Sequence, residues 1–177
     1  MSEEDLADAG LPPPFWAFAW AGGQALARYV LDNPSLVAGK RVLDFGSGSA
    51  IVALAALKAG ARPALAADID PFACAAATLN AAANGLSLEA TSHDLIGESG
   101  DWEIILVGDM CYEQPLAGDI GRWLEAEQGR GVAVLIGDPG RTYLPKDRLE
   151  KLVSYAVKTS RALEDTDVRN TSVWRFS

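Results

Sequence analysis

Five aspartates close apolar runs or follow just beyond them in this chain: Asp44, Asp68, Asp94, Asp109 and Asp138. Carboxylates gathered along one rim accept hydrogen bonds from hydroxyls and amines. After the first of them the chain reads Asp44-Phe45-Gly46-Ser47-Gly48-Ser49-Ala50 and runs on into Ile51-Val52-Ala53-Leu54. The alternating glycines let the backbone turn tightly and approach a ligand where a Cβ would intrude. A helix starting there points its unpaired N–H groups at the same spot. Asp68, at the end of the next apolar run, is placed to accept from two neighbouring ribose hydroxyls, the role an acid plays one strand later in dinucleotide folds. Asp70 precedes Pro71 and reads instead as a helix N-cap.

Several chemistries are excluded. A dinucleotide fingerprint needs a third glycine where Ile51 stands, and no P-loop motif occurs. Two cysteines, Cys74 and Cys111, and one histidine, His93, cannot supply a zinc site, so no metal is expected. Cys74, in a run of alanines, reads as a buried small hydrophobe, and His93 as a strand-end loop residue. Lys+Arg 15 against Asp+Glu 24 gives a net charge of −9, which argues against nonspecific nucleic-acid or anionic-membrane binding and suits a basic protein partner. An acidic start, Met1-Ser2-Glu3-Glu4-Asp5, and the lack of an apolar run near membrane-spanning length imply no targeting segment and a cytoplasmic location.

These residues need a scaffold that brings strand ends together. Residues 1–11 read as a frayed acidic tail and 12–177 as one domain. After Pro12-Pro13-Pro14, residues Ala17, Trp20, Gln24, Ala27 and Leu31 recur at helical spacing, ended by Asp32-Asn33-Pro34. Gly22-Gly23 inside that helix costs about 1 kcal/mol per glycine relative to alanine, which implies close approach of a neighbour or a ligand. Strands are expected at 41–45, 63–67, 86–91, 103–107 and 132–136, the fourth buried on both faces. Helices are expected from Ile51 to Gly60, Pro71 to Asn84, Leu116 to Glu127 and Arg148 to Leu152. Two last strands are expected at 153–157 and 171–176. Alternating strands and helices predict an α/β fold: a doubly wound, Rossmann-like sheet of seven strands with helices on both faces, parallel through the fifth strand and antiparallel in the last. Ligands in such sheets bind beyond the carboxyl ends of the strands, where all five aspartates lie.

The D-x-G-x-G-x-A pattern of Asp44 to Ala50 resembles motif I of the class I S-adenosylmethionine-dependent methyltransferases, with Ala50 where the family usually carries glycine. Asp68 and Asp94 follow in the order that family uses for ribose and for the adenine amine. The resemblance extends over nearly the whole chain to one branch of protein lysine methyltransferases, which includes the enzyme acting on the β subunit of electron transfer flavoprotein. It is carried by Pro14 to Tyr29, Asp68-Ile69-Asp70-Pro71, Gly108-Asp109-Met110-Cys111-Tyr112 and Ile136-Gly137-Asp138-Pro139-Gly140-Arg141. It implies S-adenosylmethionine as cofactor, held by Trp20, Gln24, Asp44, Gly46, Ser47, Gly48, Asp68, Ile69, Asp94, Leu95 and Gly108. Asp44 would bond the cofactor's ammonium or orient the turn that does so.

The same resemblance places catalysis at Asp109 and Tyr112, on a lysine presented by a protein substrate, with the chain expected to act as a monomer. Electron transfer flavoprotein β subunit is the implied partner. A ribosomal protein, a nicotinamide-like small amine and a noncatalytic binding role remain as alternatives. The nucleophile must be a neutral amine, whose reference pKa is about 10.4; Asp109 would accept an N–H and aim the lone pair, or it would simply cap a helix after strand four. Trp16, Phe18 and Trp20 form a lid or pack in the core, with Trp20 the better site candidate. Trp174 edges the substrate pocket or joins the core. Arg141 meets substrate or pairs with Asp138.

Overall fold

Apolar runs alternating with alanine-rich segments have one economical arrangement, strands paired in a sheet with helices laid over them. The computed structural model describes residues 14–161 and 166–176, so the expected tail at 1–11 lies outside the described residues. Strands β1 (Val42–Phe45), β2 (Ala64–Ala67), β3 (Glu89–Thr91), β4 (Ile104–Gly108), β5 (Ala133–Asp138), β6 (Leu149–Lys158) and β7 (Val168–Phe176) form one seven-stranded sheet in the order β3-β2-β1-β4-β5-β7-β6. Pairing is parallel from β3 through β5, and β7 runs antiparallel to both β5 and β6. Helices α1 (Ala21–Asp32), α2 (Ile51–Lys58), α3 (Pro71–Ala83) and α4 (Leu116–Gly129) accompany the sheet.

The strand order reverses between β1 and β4, so connections leave that point in opposite directions and open a crevice above their carboxyl ends. Alternation along the strands sorts the core into two layers. Val42, Ile104 and Leu106 pack with Leu26 and Val30 of α1 and with α2, while Leu43, Phe45, Ile105 and Val107 pack with Trp123 and Leu124 of α4. Glu127, only 1% exposed near the end of α4, accepts from Ser99, Trp102 and Arg130 and ties the loop before β4 to that helix.

Three expectations are corrected. The first helix begins at Ala21 with Trp20 as its N-cap residue, and Phe15–Ala17 forms a separate short turn, so Ala17 is not part of it. The third strand starts at Glu89 rather than Leu86. Gly85, at φ 66°, ends α3, and the Leu86 N–H is used on the Ala81 carbonyl, closing the helix instead of opening a strand. Residues 149–152 are strand, not helix. Their backbone pairs with β7, and Glu150 meets Arg175 directly across the ladder, so sheet pairing overrides a weak helical pattern. Among the described residues no helix is long and apolar enough to cross a membrane, and no cluster of His, Cys, Asp or Glu suited to a metal occurs.

Candidate active site

The turn after β1 is built from left-handed residues: Gly46 at φ 65°, Gly48 at φ 50° and Ala50 at φ 68°. Ala50 takes that conformation at a cost of about 1 kcal/mol, where glycine would take it freely. A Cβ on Gly46 would collide with the side chain of Met110, and one on Gly48 would sit 3.4 Å from the Trp16 backbone. The turn is therefore walled by the loop after β4 on one side and by the segment before α1 on the other.

Asp44 shares the face of Val42, so its carboxylate points beneath α2 and accepts the Ala53 N–H at 2.8 Å. Ala50 has no side chain to cap α2, and Asp44 takes that place from the adjacent strand. With 1% of its surface exposed, burial lifts its carboxyl to about 8, against the lowering effect of the Ala53 bond. Of its two expected roles, orienting the turn is the one this geometry performs.

Asp68 ends β2 and joins the motifs. One carboxylate oxygen accepts Gly48 N–H at 2.9 Å and the other Asp70 N–H at 3.0 Å. Each oxygen keeps a further lone pair on a partly exposed face, as acceptance of two ribose hydroxyls requires. Asp70 accepts Phe72 N–H and caps α3, as the sequence predicts. Ile69 is 74% exposed, an apolar plate beside Asp68. Asp94 is exposed beyond β3 and holds its own turn through Ile96 N–H, while Leu95 packs against the second core layer. Ser47 carries a buried hydroxyl with no partner among the described residues. An orphaned hydroxyl between two glycines, next to an acceptor for ribose, fits S-adenosylmethionine.

The other half of the rim is assembled from three distant stretches. Asp109 follows β4 at φ 58°, an uncommon conformation for a residue with a side chain. One of its oxygens accepts Gly23 N–H at 2.9 Å, and the other accepts from Arg141 Nη2 at 2.8 Å. Asp109 thus does cap a helix, but α1, whose N-cap Trp20 supplies no side-chain bond, and not one following its own strand. The approach depends on glycines. A Cβ on Gly22 would collide with the Gly137 carbonyl, one on Gly137 with the Gly22 carbonyl, and one on Gly108 would lie 3.0 Å from Gly23 Cα. Burial raises the Asp109 carboxyl to about 6, opposed chiefly by Arg141. Tyr112 is half exposed, and burial together with the charges of Glu113 and Asp68 raises its phenol. Burial pushes the neighbouring Cys111 thiol up to about 12.

Trp20 and Gln24 fall on this second side. The Trp20 ring lies 5.8 Å from the Arg141 guanidinium carbon, its indole N–H donates to the Phe15 carbonyl, and Gln24 donates back to Ala19. Together with Phe18 and Lys158 they line a shallow cavity. Gly108 faces α1. One reading is corrected: Cys74 is half-buried, its thiol reaching the Asp68 carbonyl. Of the alternatives left open, core packing falls away for Phe18, which is exposed, and for Trp16, which is half-buried, and the Arg141 side chain pairs with Asp109, leaving Asp138 to its backbone N–H. Trp174 packs against the second core layer. The Arg141–Asp109 pair and the contacts of Met110 and Gly137 went unread in the sequence, because no spacing along the chain marks them.

The family model for ribosomal protein L11 methyltransferase (PrmA) matches residues 24–107. The chain is similar to the electron transfer flavoprotein beta subunit lysine methyltransferase of Danio rerio, 40% identical over 173 residues covering 94% of this chain and 67% of that one. It is likewise similar to the protein of that name from Xenopus laevis, 42% identical over 92% of this chain and 69% of that one. Among solved structures, magnesium protoporphyrin IX methyltransferase from Synechocystis with bound SAM shares the fold, with a TM-score of 0.62 at 14% identity over 87% of this chain and 81% of that one.

Proposed function

We infer the reaction from the family: the chain belongs to the electron transfer flavoprotein beta subunit lysine methyltransferase family, by its identity to relatives over almost its whole length. It is a methyltransferase, and it transfers a methyl group from S-adenosylmethionine to the side-chain amine of lysine on the β subunit of electron transfer flavoprotein. The observation that carries this reading is Asp109, an ionisable carboxylate at the sheet's switch point with both oxygens pinned, between the cofactor turn and an aromatic wall.

The match to the L11 methyltransferase family model covers residues 24–107 and stops before Asp109-Met110-Cys111-Tyr112, whereas the match to the lysine methyltransferase relative covers 94% of this chain. This supports the flavoprotein subunit over a ribosomal substrate. A net charge of −9 complements a lysine-bearing surface.

Bound at the glycine turn, S-adenosylmethionine supplies an electrophilic methyl on a sulfonium. Asp68 would hold the ribose, the turn at Gly46–Gly48 would give backbone access, and Asp94 would meet the adenine amine. Asp109 accepts an N–H of the incoming amine and aims its lone pair along the line of attack; Tyr112 flanks the lysine stem. Positioning of this kind is worth several kcal/mol when the geometry is right. Asp109 accepts while ionised, so activity falls on its account as pH drops through about 6.

The test is incubation of the protein with radiolabelled S-adenosylmethionine and either recombinant electron transfer flavoprotein β subunit or ribosomal protein L11, followed by mass spectrometry of the labelled product. Methyl-lysine on the flavoprotein subunit is expected. Label confined to L11 would overturn the substrate assignment.

A further inference from the structure

We propose that Arg141 is a positioning residue for the methyl acceptor: its fixed guanidinium clamps Asp109 and stands beside the incoming amine, keeping the carboxylate ionised and the amine uncharged. This rests on the lysine-methylation reading of the same site.

Among the described residues, three contacts hold Arg141 in place. Its Nη2 donates to Asp109 at 2.8 Å. Its guanidinium lies over the Trp20 ring at 5.8 Å. Its backbone N–H donates to Asp138 at 2.7 Å, on the same oxygen that accepts Gly140 N–H at 2.6 Å. Asp138 is fully buried, so the turn after β5 returns the side chain toward β4 instead of releasing it to solvent. Only 20% of the Arg141 side chain remains exposed. An arginine that merely decorated a rim would not be tied at both backbone and side chain.

The groups facing Asp109 define what that charge does. Asp138 and Arg141 face it from the turn after β5, Cys111 from its own loop, and α1 contributes the Gly23 amide. Two carboxylates without Arg141 would draw a cation, and the nearest one arriving with substrate is the lysine ammonium, which carries no lone pair to attack with. A resident cation that cannot lose its proton offsets that pull. It also disfavours a second positive charge beside it. Arginine suits the task better than lysine as a donor fork, yet lysine preserves the charge, so the two roles can be separated.

The experiment titrates the Asp109 carboxyl by carbon-13 NMR in the free protein and measures the pH dependence of kcat/KM with recombinant electron transfer flavoprotein β subunit. It compares wild type, Arg141→Lys and two uncharged variants, Arg141→Gln and Arg141→Met, each checked for S-adenosylmethionine affinity. Loss of the charge is expected to raise the Asp109 midpoint by about one pH unit and to move the rising limb of kcat/KM upward by a similar amount, a roughly tenfold loss on the limb. Arg141→Lys should restore both. An unmoved midpoint in either uncharged variant, or equal loss in the lysine and uncharged variants, overturns the inference. Wild type inactive on this subunit would sink the substrate assignment instead, and the NMR titration would still decide the role of Arg141.

Discussion

Asp44 and Asp109 do the same local job in the two halves of the rim. Each stands at a strand end and accepts the third amide of a helix whose own N-cap residue provides no side-chain acceptor, Ala53 of α2 and Gly23 of α1. Their consequences differ. Asp44 caps the helix that follows its own strand, is sealed beneath it, and prefers the protonated form near neutrality. Asp109 caps a helix 86 residues away in the chain and carries Arg141 on its other oxygen, so its rise stops at about 6. Identical side chains in similar capping geometry become a structural prop in one case and an ionised acceptor in the other. Burial beside a cation, not residue type, makes the difference.

Four substitutions sharpen or break this contrast. The largest effect is expected of Asp109→Ala, with turnover down by about a hundredfold or more and S-adenosylmethionine affinity within a few-fold of wild type, measured by steady-state kinetics and calorimetry. Retained turnover would reduce Asp109 to a second prop. Gly137→Ala places a methyl into the Gly22 carbonyl, and it should destabilise the fold by about 2–3 kcal/mol in urea titration while lowering activity further by displacing α1 from Asp109.

Asp68→Ala should act oppositely to Asp109→Ala, weakening cofactor binding by about tenfold through the lost hydrogen bonds to ribose and to Gly48, visible as a raised Kd. The smallest effect concerns Asp44→Asn. In the folded protein Asp44 holds its proton up to about pH 8, whereas an unfolded aspartate releases it near about 3.9. Between those values the native state binds more protons, so this contribution to stability is lost as pH rises through the window. The asparagine variant has no such titration, and its Tm should decline by a few degrees less between about pH 5 and pH 8. Parallel declines would place the titrating group elsewhere.

The two halves also differ in how far a reader of the chain can see them. Asp44, Gly46, Gly48, Asp68 and the Asp70 cap lie within one strand–helix–strand–helix passage, where short-range rules of turn geometry, capping and alternation operate. Asp109-Met110-Cys111-Tyr112 is legible as a motif. Its partners are not, since Gly22-Gly23, Gly137 and Arg141 reach Asp109 only because β4 lies between β1 and β5 in the sheet and α1 crosses above them. The missed start of β3 and the strand at 149–152 have related causes: closure of α3 by Leu86 and pairing with β7, neither of which the hydrophobic pattern ranks.

Sequence alone determined the alternation of strands and helices, the acids at their ends, the glycine turn and the ordered set that speaks for methyl transfer, because those follow from backbone stereochemistry within a few residues. Tertiary structure decided which aspartate is sealed beneath a helix and which one is buried beside a guanidinium. Those outcomes depend on desolvation and on charges brought together from distant positions, and both are set by the order of the strands.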